Sequence, residues 1–584
     1  MIHKFSLRFD AAMEIRALAW KRMWSCLRLI VVFAAVVSAC TSADEQENTV
    51  QRRVRLICRN LQSSTVRLRS GSDLSSGVMV SRSGLLLTVA HGLKRDAAAT
   101  AIFQSGRAYE AQRIMVDELA DVALLSINVA SLTEADRSFV PLSASENSTV
   151  GEMALASGFP AREPDGMRPV VRLGEILAVD ASAITSSCAL TSGDSGGPLV
   201  NSRGELIGLN RQIGVATASN GHIALPIIQR ILEHTEHWNT LSQQLRPKPK
   251  SILIAKALLP TSAVLKAARR ATVEILGKDA NGVQAVRACG TVLDDHHIAA
   301  KLSEIVFWSA LECRFADGTP IGCMLSHSHH SYDLAFLKLE TPYQSGYIAR
   351  SRSAKFEDSV SLFGDHELLR GQIVFSATGP TDIPTAGIVS RERHKEPSGT
   401  ARFGATMLAD SERIRIAELS PNGSAVVAGV QVGDELLRVD GRMVTSLTEV
   451  SNLLKVWQPG DWTLLDIQRG EKEFRMHAQL QHDPGQQFEK TEFLDGRSVR
   501  VSQRRGGFHS ALQHDIAVDP TACGGPLFDI EGRLIAVNIA RRGRESTLAI
   551  PIELVLREHQ RRLRIGRIGR FSMRCVSCGG WNRR

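Results

Sequence analysis

The sequence predicts a mainly β chain made of two barrel-forming domains of short strands, the second a degenerate copy of the first, with an insert set into that copy. Three observations predict it. From about Asn60 the chain runs in short apolar stretches separated by Gly, Ser, Asn and Asp, the rhythm of short strands closing into barrels. The same succession returns after a linker-like stretch at Pro247 to Lys250. Two landmarks of the returning copy are 116 residues further apart than in the original, which makes room for an insert.

Composition permits this. The 584 residues are 43% apolar and 22% charged, without collagen-like, coiled-coil or disordered bias, so several units can each bury an ordinary core. The net charge of +9 invites a nucleic-acid partner, but its distribution excludes one. Residues 1–39 hold six Lys/Arg against two Asp/Glu, and residues 557–584 hold nine Arg against one Glu. The ends thus carry more than the whole excess, and the slightly acidic body offers no broad footprint for phosphates. The basic tail, 561–584, is expected to be a solvated end, with an anionic membrane surface as the alternative.

The first element is a targeting segment, residues 1–40. Lys21, Arg22 and Arg28 precede the apolar run Leu29 to Val37, which is too short to span a bilayer; small residues and then a polar, acidic stretch follow. Val37-Ser38-Ala39-Cys40 resembles a bacterial lipobox, with Val where Leu is usual. That resemblance implies that Cys40 is lipidated and that the protein sits on a membrane at the periplasmic side of the cell envelope. Cleavage without a lipid is the alternative, and Met23 offers a second possible start.

The remaining cysteines are scattered. Cys58, Cys188, Cys289, Cys313, Cys323 and Cys523 permit disulfides but fix no pairing. Cys575 and Cys578 form one CxxC, half a zinc site at most, so no metal and no cofactor is expected.

The second element, 50–240, carries the chemistry. Leu87-Thr88-Val89-Ala90-His91 is a strand closing on a histidine; Asp121 opens the apolar strand Val122 to Leu125; Thr191 to Leu199 reads TSGDSGGPL and puts Ser195 on a glycine-rich turn. Such a turn bends tightly and directs backbone amides at a developing oxyanion, where side chains would obstruct. These motifs, in the order His, Asp, Ser, resemble the chymotrypsin-like serine proteases, and compactness with an export signal brings them nearest the HtrA/DegP type over about residues 60–235. The resemblance implies a chymotrypsin-like double β-barrel for this domain and for its degenerate copy, and a catalytic triad of His91, Asp121 and Ser195, with the amides of Gly193 and Ser195 as oxyanion hole. It also implies a strand behind the nucleophile at Gly204 to Asn210, and a closing strand that begins at Ala224-Leu225-Pro226-Ile227 and leads into a helix. Asp194 departs from the HtrA pattern, which usually has Asn there; in activated digestive proteases such an Asp pairs with a new N-terminus, and no cleavage site for one is evident here. Ala189, six residues before the nucleophile, is small and uncharged, which points away from a Lys/Arg pocket and toward small or aliphatic side chains.

After a linker, 241–262, the degenerate domain begins at 263–397 and is completed by 482–560. Asp333 follows Asp121 at a spacing of 212, and the same spacing puts Ser303 where His91 stood. Cys523, in Thr521-Ala522-Cys523-Gly524-Gly525-Pro526-Leu527, follows Ser195 at 328. Two readings of Ser303, Asp333 and Cys523 remain. Either the site is inert, or a thiol works with a base from His296, His297, His327, His329 or His330. The inert reading is favoured, because none of these histidines occupies the equivalent position.

The insert, 398–481, resembles a PDZ domain in Phe403-Gly404-Ala405-Thr406, Ser420 to Ala425, Val432-Gly433-Asp434-Glu435-Leu436-Leu437 and Val439-Asp440-Gly441. PDZ domains add an extended peptide as a further strand, and the resemblance makes Phe403, Gly404, Ala405 and Thr406 the loop receiving its terminal carboxylate. A spacer without ligand is the alternative.

Together these resemblances imply a serine endopeptidase of unfolded or exported proteins, with protein or peptide substrates, a C-terminal peptide ligand for the PDZ domain, and homo-oligomers as in relatives. A catalytically inactive peptide-binding scaffold is the competing class.

Overall fold

In a computed structural model of the chain, the described residues are 49–561 except 96, 145–147, 162–167, 244, 246–257, 279–281, 307, 345–368, 398, 400, 411–412, 422, 455–456 and 483–498. Cys40 with its signal segment, and Cys575 and Cys578 in the tail, lie outside the described residues. Residues 1–53, of which only the start of the helix Thr49–Ser64 is described, form one unit, and Val54–Arg584 forms a second, compact one. Among the described residues no helix is long and apolar enough to cross a membrane.

Among the described residues four closed six-stranded antiparallel barrels follow one another, all with one connectivity: first strand to second, second to third, third to sixth, sixth to fifth, fifth to fourth, fourth back to first. The first barrel uses Thr65–Ser70, Asp73–Met79, Leu85–Thr88, Ala99–Ile102, Ala108–Asp117 and Val122–Ser126. The second uses Met153–Gly158, Val170–Val179, Ala183–Ser186, Pro198–Asn201, Leu206–Gln212 and Asn220–Ala224. Closure pairs every strand on both sides, so runs too short to be stable alone leave no edge unbonded. Each barrel has its own apolar filling, with Val66, Leu68, Met79, Leu86 and Leu125 in the first and Ala154, Ile176, Leu199 and Ile207 in the second. The closing strand ends at Ala224 rather than beginning there: Leu225–Leu232 is already helix, because Pro226 lacks the N–H a strand would need and suits the first helical turn.

The third and fourth barrels repeat this plan. Thr272–Lys278 to Leu334–Leu339 close the third. Ile373–Ser376, Thr385–His394, Ala511–His514, Pro526–Phe528, Leu534–Gly543 and Ser546–Pro551 close the fourth, and the PDZ domain occupies the connection between its second and third strands. The repeat extends to backbone strain. Asp121 and Asp333 both sit at left-handed φ, +58° and +55°, a region Asp tolerates better than most residues.

The two double barrels touch through Val170–Val179 and Thr385–His394. At that seam the buried carboxylate of Asp515 accepts from Leu173 N at 2.6 Å and from Ile388 N at 2.7 Å.

Candidate active site

The site forms where the first and second barrels meet. The strand Leu85–Thr88 delivers His91 on a short 3-10 turn, and the left-handed Asp121 turns its carboxylate back under it. Asp121 accepts from His91 N at 3.0 Å and from His91 Nδ1 at 2.8 Å, while Arg211 Nε donates at 3.1 Å. Burial pushes the Asp121 carboxyl up, but the His91 bonds and the Arg211 charge outweigh it and hold it below the ordinary carboxylate range. An ionised Asp121 can only accept, so the neutral imidazole carries its proton on Nδ1 and keeps a lone pair on Nε2.

Ser195 arrives from the second barrel. Its carbonyl accepts from Ser76 N at 2.8 Å, and Ser76 Oγ donates to Gly193 O at 2.7 Å and accepts from Phe159 N at 2.9 Å, so one serine ties the nucleophile turn to both barrels. Gly193 has φ +94°, and a Cβ there would come within 2.5 Å of Ala161 N and Phe159 O. The amides of Gly193 and Ser195 donate no hydrogen bond among the described residues, which leaves both for an incoming oxyanion. No bond to Ser195 Oγ is among the contacts of His91. Such pairs are often loose in free enzymes and tighten around substrate.

Asp194 finds its partner inside the chain. Arg172 Nη1 lies 2.8 Å from Asp194 Oδ2, both side chains being almost wholly buried, and Thr191 N donates to the same oxygen at 2.8 Å. The guanidinium of Arg172 thus gives Asp194 a cation from within the chain. Sequence reasoning missed Arg172 and Arg211, because neither lies in a motif. A solitary Arg in the apolar run Val170-Val171-Arg172-Leu173 was the available signal for the first, since a buried cation demands an anion.

A third missed residue comes from the fourth barrel. Arg544, at a hairpin tip, donates through Nε to Leu190 O at 3.1 Å and through Nη2 to Gly214 O at 2.9 Å and Ala216 O at 2.6 Å. Its guanidinium therefore joins the loop that leads into the Ser195 turn to the loop at Gly214 to Ala216.

The equivalent place in the second copy is built otherwise. Ser303 N and Oγ both bond Asp333 at 2.8 Å, reproducing the His91–Asp121 geometry with a hydroxyl for the imidazole. Buried Lys301, at the position equivalent to Val89, takes Asp333 Oδ2 at 2.5 Å and Arg504 O at 3.2 Å. Thr521 replaces Gly193 in the repeat, and Pro520–Ala522 winds into a 3-10 turn in which Cys523 N donates to Pro520 O at 3.1 Å, so the oxyanion amide is consumed. Cys523 is fully buried, which pushes its thiol up to about 11 against the opposing charge of Lys301. Its thiol lies against Ser502 Oγ and Asp519 O. The five histidines face elsewhere: His296 and His297 flank Asp294, His327 stacks on Phe336, His329 pairs with Glu558, and His330 meets Trp457.

In the PDZ domain Ala405–Asp410 is the edge strand of the sheet, beside the helix Leu447–Leu454. Phe403 is buried in the core, and Gly404 has φ +76° with a Cβ position 2.9 Å from Gly423 Cα. Phe403 O and Gly404 O accept from Ala425 N and Ser420 N. Across trans peptides the amides of Gly404 and Ala405 therefore point the opposite way. Thr406 lies within the edge strand, paired with Glu418.

Two closed barrels presenting a His–Asp pair and a serine on a glycine turn at their junction define a chymotrypsin-like peptidase domain. Residues 75–209 match the family described as trypsin-like peptidase domain, and residues 415–469 match the PDZ domain. More particularly, the chain is similar to proteases of the HtrA type. It is 30% identical over 149 residues to the serine endoprotease DegS of Haemophilus influenzae, 24% of this chain and 41% of that one. It is 29% identical over 182 residues to the periplasmic pH-dependent serine endoprotease DegQ of Escherichia coli (28% and 38%), and 34% identical over 143 residues to the serine protease HTRA1 of Xenopus tropicalis (23% and 30%). The chain thus spans about two-fifths or less of the length of these relatives.

Proposed function

We propose that this chain is a serine endopeptidase of the cell envelope that cleaves unfolded or exported proteins through an acyl-enzyme. The observation that carries it is the His91–Asp121 pair at the barrel junction that also receives the Ser195 turn, two of whose backbone amides donate no hydrogen bond among the described residues. Ser195 Oγ attacks the peptide carbonyl and passes its proton to His91 Nε2; Asp121 steadies the imidazolium; Gly193 N and Ser195 N take the oxyanion; the proton goes to the leaving amine, and water then repeats the sequence on the ester. The loops joined by Arg544 wall the pocket for the side chain before the cleaved bond, with Ala189 favouring a small or aliphatic one. The second copy is inert, and the PDZ edge strand takes an extended peptide with its terminal carboxylate at the Gly404 and Ala405 amides. Cys40 anchors the mature chain through a lipid.

Ser195→Ala tests the central claim. Casein cleavage falls by orders of magnitude, on the order of 10⁶ where a nucleophile of this kind has been removed, and labelling by a fluorophosphonate disappears. Undiminished cleavage in the variant would refute it.

A further inference from the structure

Away from both barrel junctions the degenerate domain gathers Asp294, His297 and His559. Asp294 and His297 belong to the turn and strand start between the second and third strands of the third barrel, and His559 to the helix over 552–561 that follows the fourth. One ligand atom from each lies within 4.8 Å of the others. His297 Nδ1 is 2.9 Å and 3.0 Å from the two oxygens of Asp294. His559 Nε2 points at the same carboxylate from 4.0 Å, too far for a hydrogen bond. His559 is only 4% exposed, and its Nε2 has no hydrogen-bond partner among the described residues. A buried ring nitrogen aimed at a carboxylate and a second imidazole, and satisfied by neither, is the observation that asks for a ligand.

We propose that Asp294, His297 and His559 bind a divalent transition-metal ion, zinc in the first instance. Two imidazole nitrogens and one carboxylate oxygen form a donor set that zinc accepts at about 2.0–2.2 Å, with a fourth position left for water. The separations of 2.9–4.0 Å bracket the distance of roughly 3.3 Å between neighbouring ligands of a tetrahedral ion at such bond lengths. On the far side of the ring, His559 Nδ1 lies 3.4 Å from His327 Nε2, the outer contact that fixes the tautomer of a ligating histidine. Asp294 and His297 remain partly exposed, which gives the ion a way in. Two ligands sit on the third barrel and one on the terminal helix, so the ion clamps that helix to the barrel.

The test uses the full chain without an affinity tag, stripped with EDTA and titrated with zinc chloride alone. One zinc binds per chain, X-ray absorption reports nitrogen and oxygen neighbours near 2.0–2.1 Å, and the unfolding midpoint rises at saturating zinc. His559→Gln and the more exposed His297→Ala each weaken binding at least tenfold, while His234→Ala leaves it unchanged. Sulfur neighbours near 2.3 Å, full affinity in either ligand variant, or no stoichiometric zinc on the folded wild-type chain overturns the assignment.

Discussion

Replacing Arg172 by Met tests whether an internal cation has taken over the office of a processed N-terminus. At 2.8 Å and an effective dielectric near 20 the attraction between Arg172 and Asp194 is about 6 kcal/mol, offset by the cost of taking both charges out of water. Losing one partner strands the other, so Arg172→Met and Asp194→Asn should each destabilise the chain by roughly 3–5 kcal/mol, a large part of the ~5–15 kcal/mol a domain holds. Asp194 lies between the two proposed oxyanion amides, so the released turn should also lose on the order of 10²-fold in kcat. The double variant Arg172→Met/Asp194→Asn removes both charges and keeps an acceptor for Thr191 N. It should recover most of the stability, giving a coupling above about 2 kcal/mol in a double-mutant cycle. Urea unfolding and peptide hydrolysis on the four proteins measure both quantities. A single Arg172→Met variant that loses under ~1 kcal/mol and keeps its turnover would refute the reasoning.

Arg544→Ala removes the bonds that join the loops at Leu190 and Gly214 to Ala216. kcat/KM for a peptide should fall roughly tenfold or more, while labelling of Ser195 by a small fluorophosphonate stays nearly unchanged; equal losses in both would place Arg544 in folding rather than in the pocket wall. Burial pushes the Asp515 carboxyl up to about 7, so between the ordinary value near 3.9 and about 7 the folded chain holds a proton that the unfolded chain has released. That group's contribution to stability therefore falls as pH rises through this window, by up to ~4 kcal/mol; wild type should lose more stability between pH 5 and 8 than Asp515→Asn, and identical slopes would exclude the effect. Cys313 and Cys323, on adjacent strands with sulfurs 3.5 Å apart, should form a disulfide under mild oxidation. Mass analysis detects the two-hydrogen loss, and two persistently free thiols in the oxidised protein would count against it.

Much of this was legible because it is local. His91, Asp121 and Ser195 announce themselves through short motifs, each a strand end or glycine turn whose backbone demands are visible in the residues beside it. Spacing alone aligned Ser303 with His91 and Cys523 with Ser195, since both copies thread their barrels in one order. What stayed hidden is what long-range packing decides. Arg172 reads as an interruption of an apolar strand until Asp194 is placed against it. Arg544 lies 349 residues after Ser195 in sequence, and nothing around it mentions Leu190. The grouping of Asp294, His297 and His559 escaped because His297 and His559 come from opposite ends of the second copy, so no ligand spacing exists to notice.

The second copy departs from the first at its barrel junction, and the departure can be followed atom by atom. At its own site Lys301 absorbs the carboxylate that would orient a base, and the turn at Pro520 consumes the amide that would stabilise an oxyanion. These changes tie the carboxylate and the amide into hydrogen bonds of their own, while the left-handed backbone at Asp333 persists. Facing the first copy, the same domain sends out the two polar groups that matter there. Asp515 bonds the amide of Leu173, next to Arg172, and Arg544 bonds the carbonyl of Leu190, next to Thr191, whose amide shares Asp194. Both contacts therefore fall one residue from groups held against Asp194, in the turn that carries Ser195. A scaffold that touched the peptidase domain elsewhere could add stability alone; one that touches it at Leu173 and Leu190 constrains the position of Ser195.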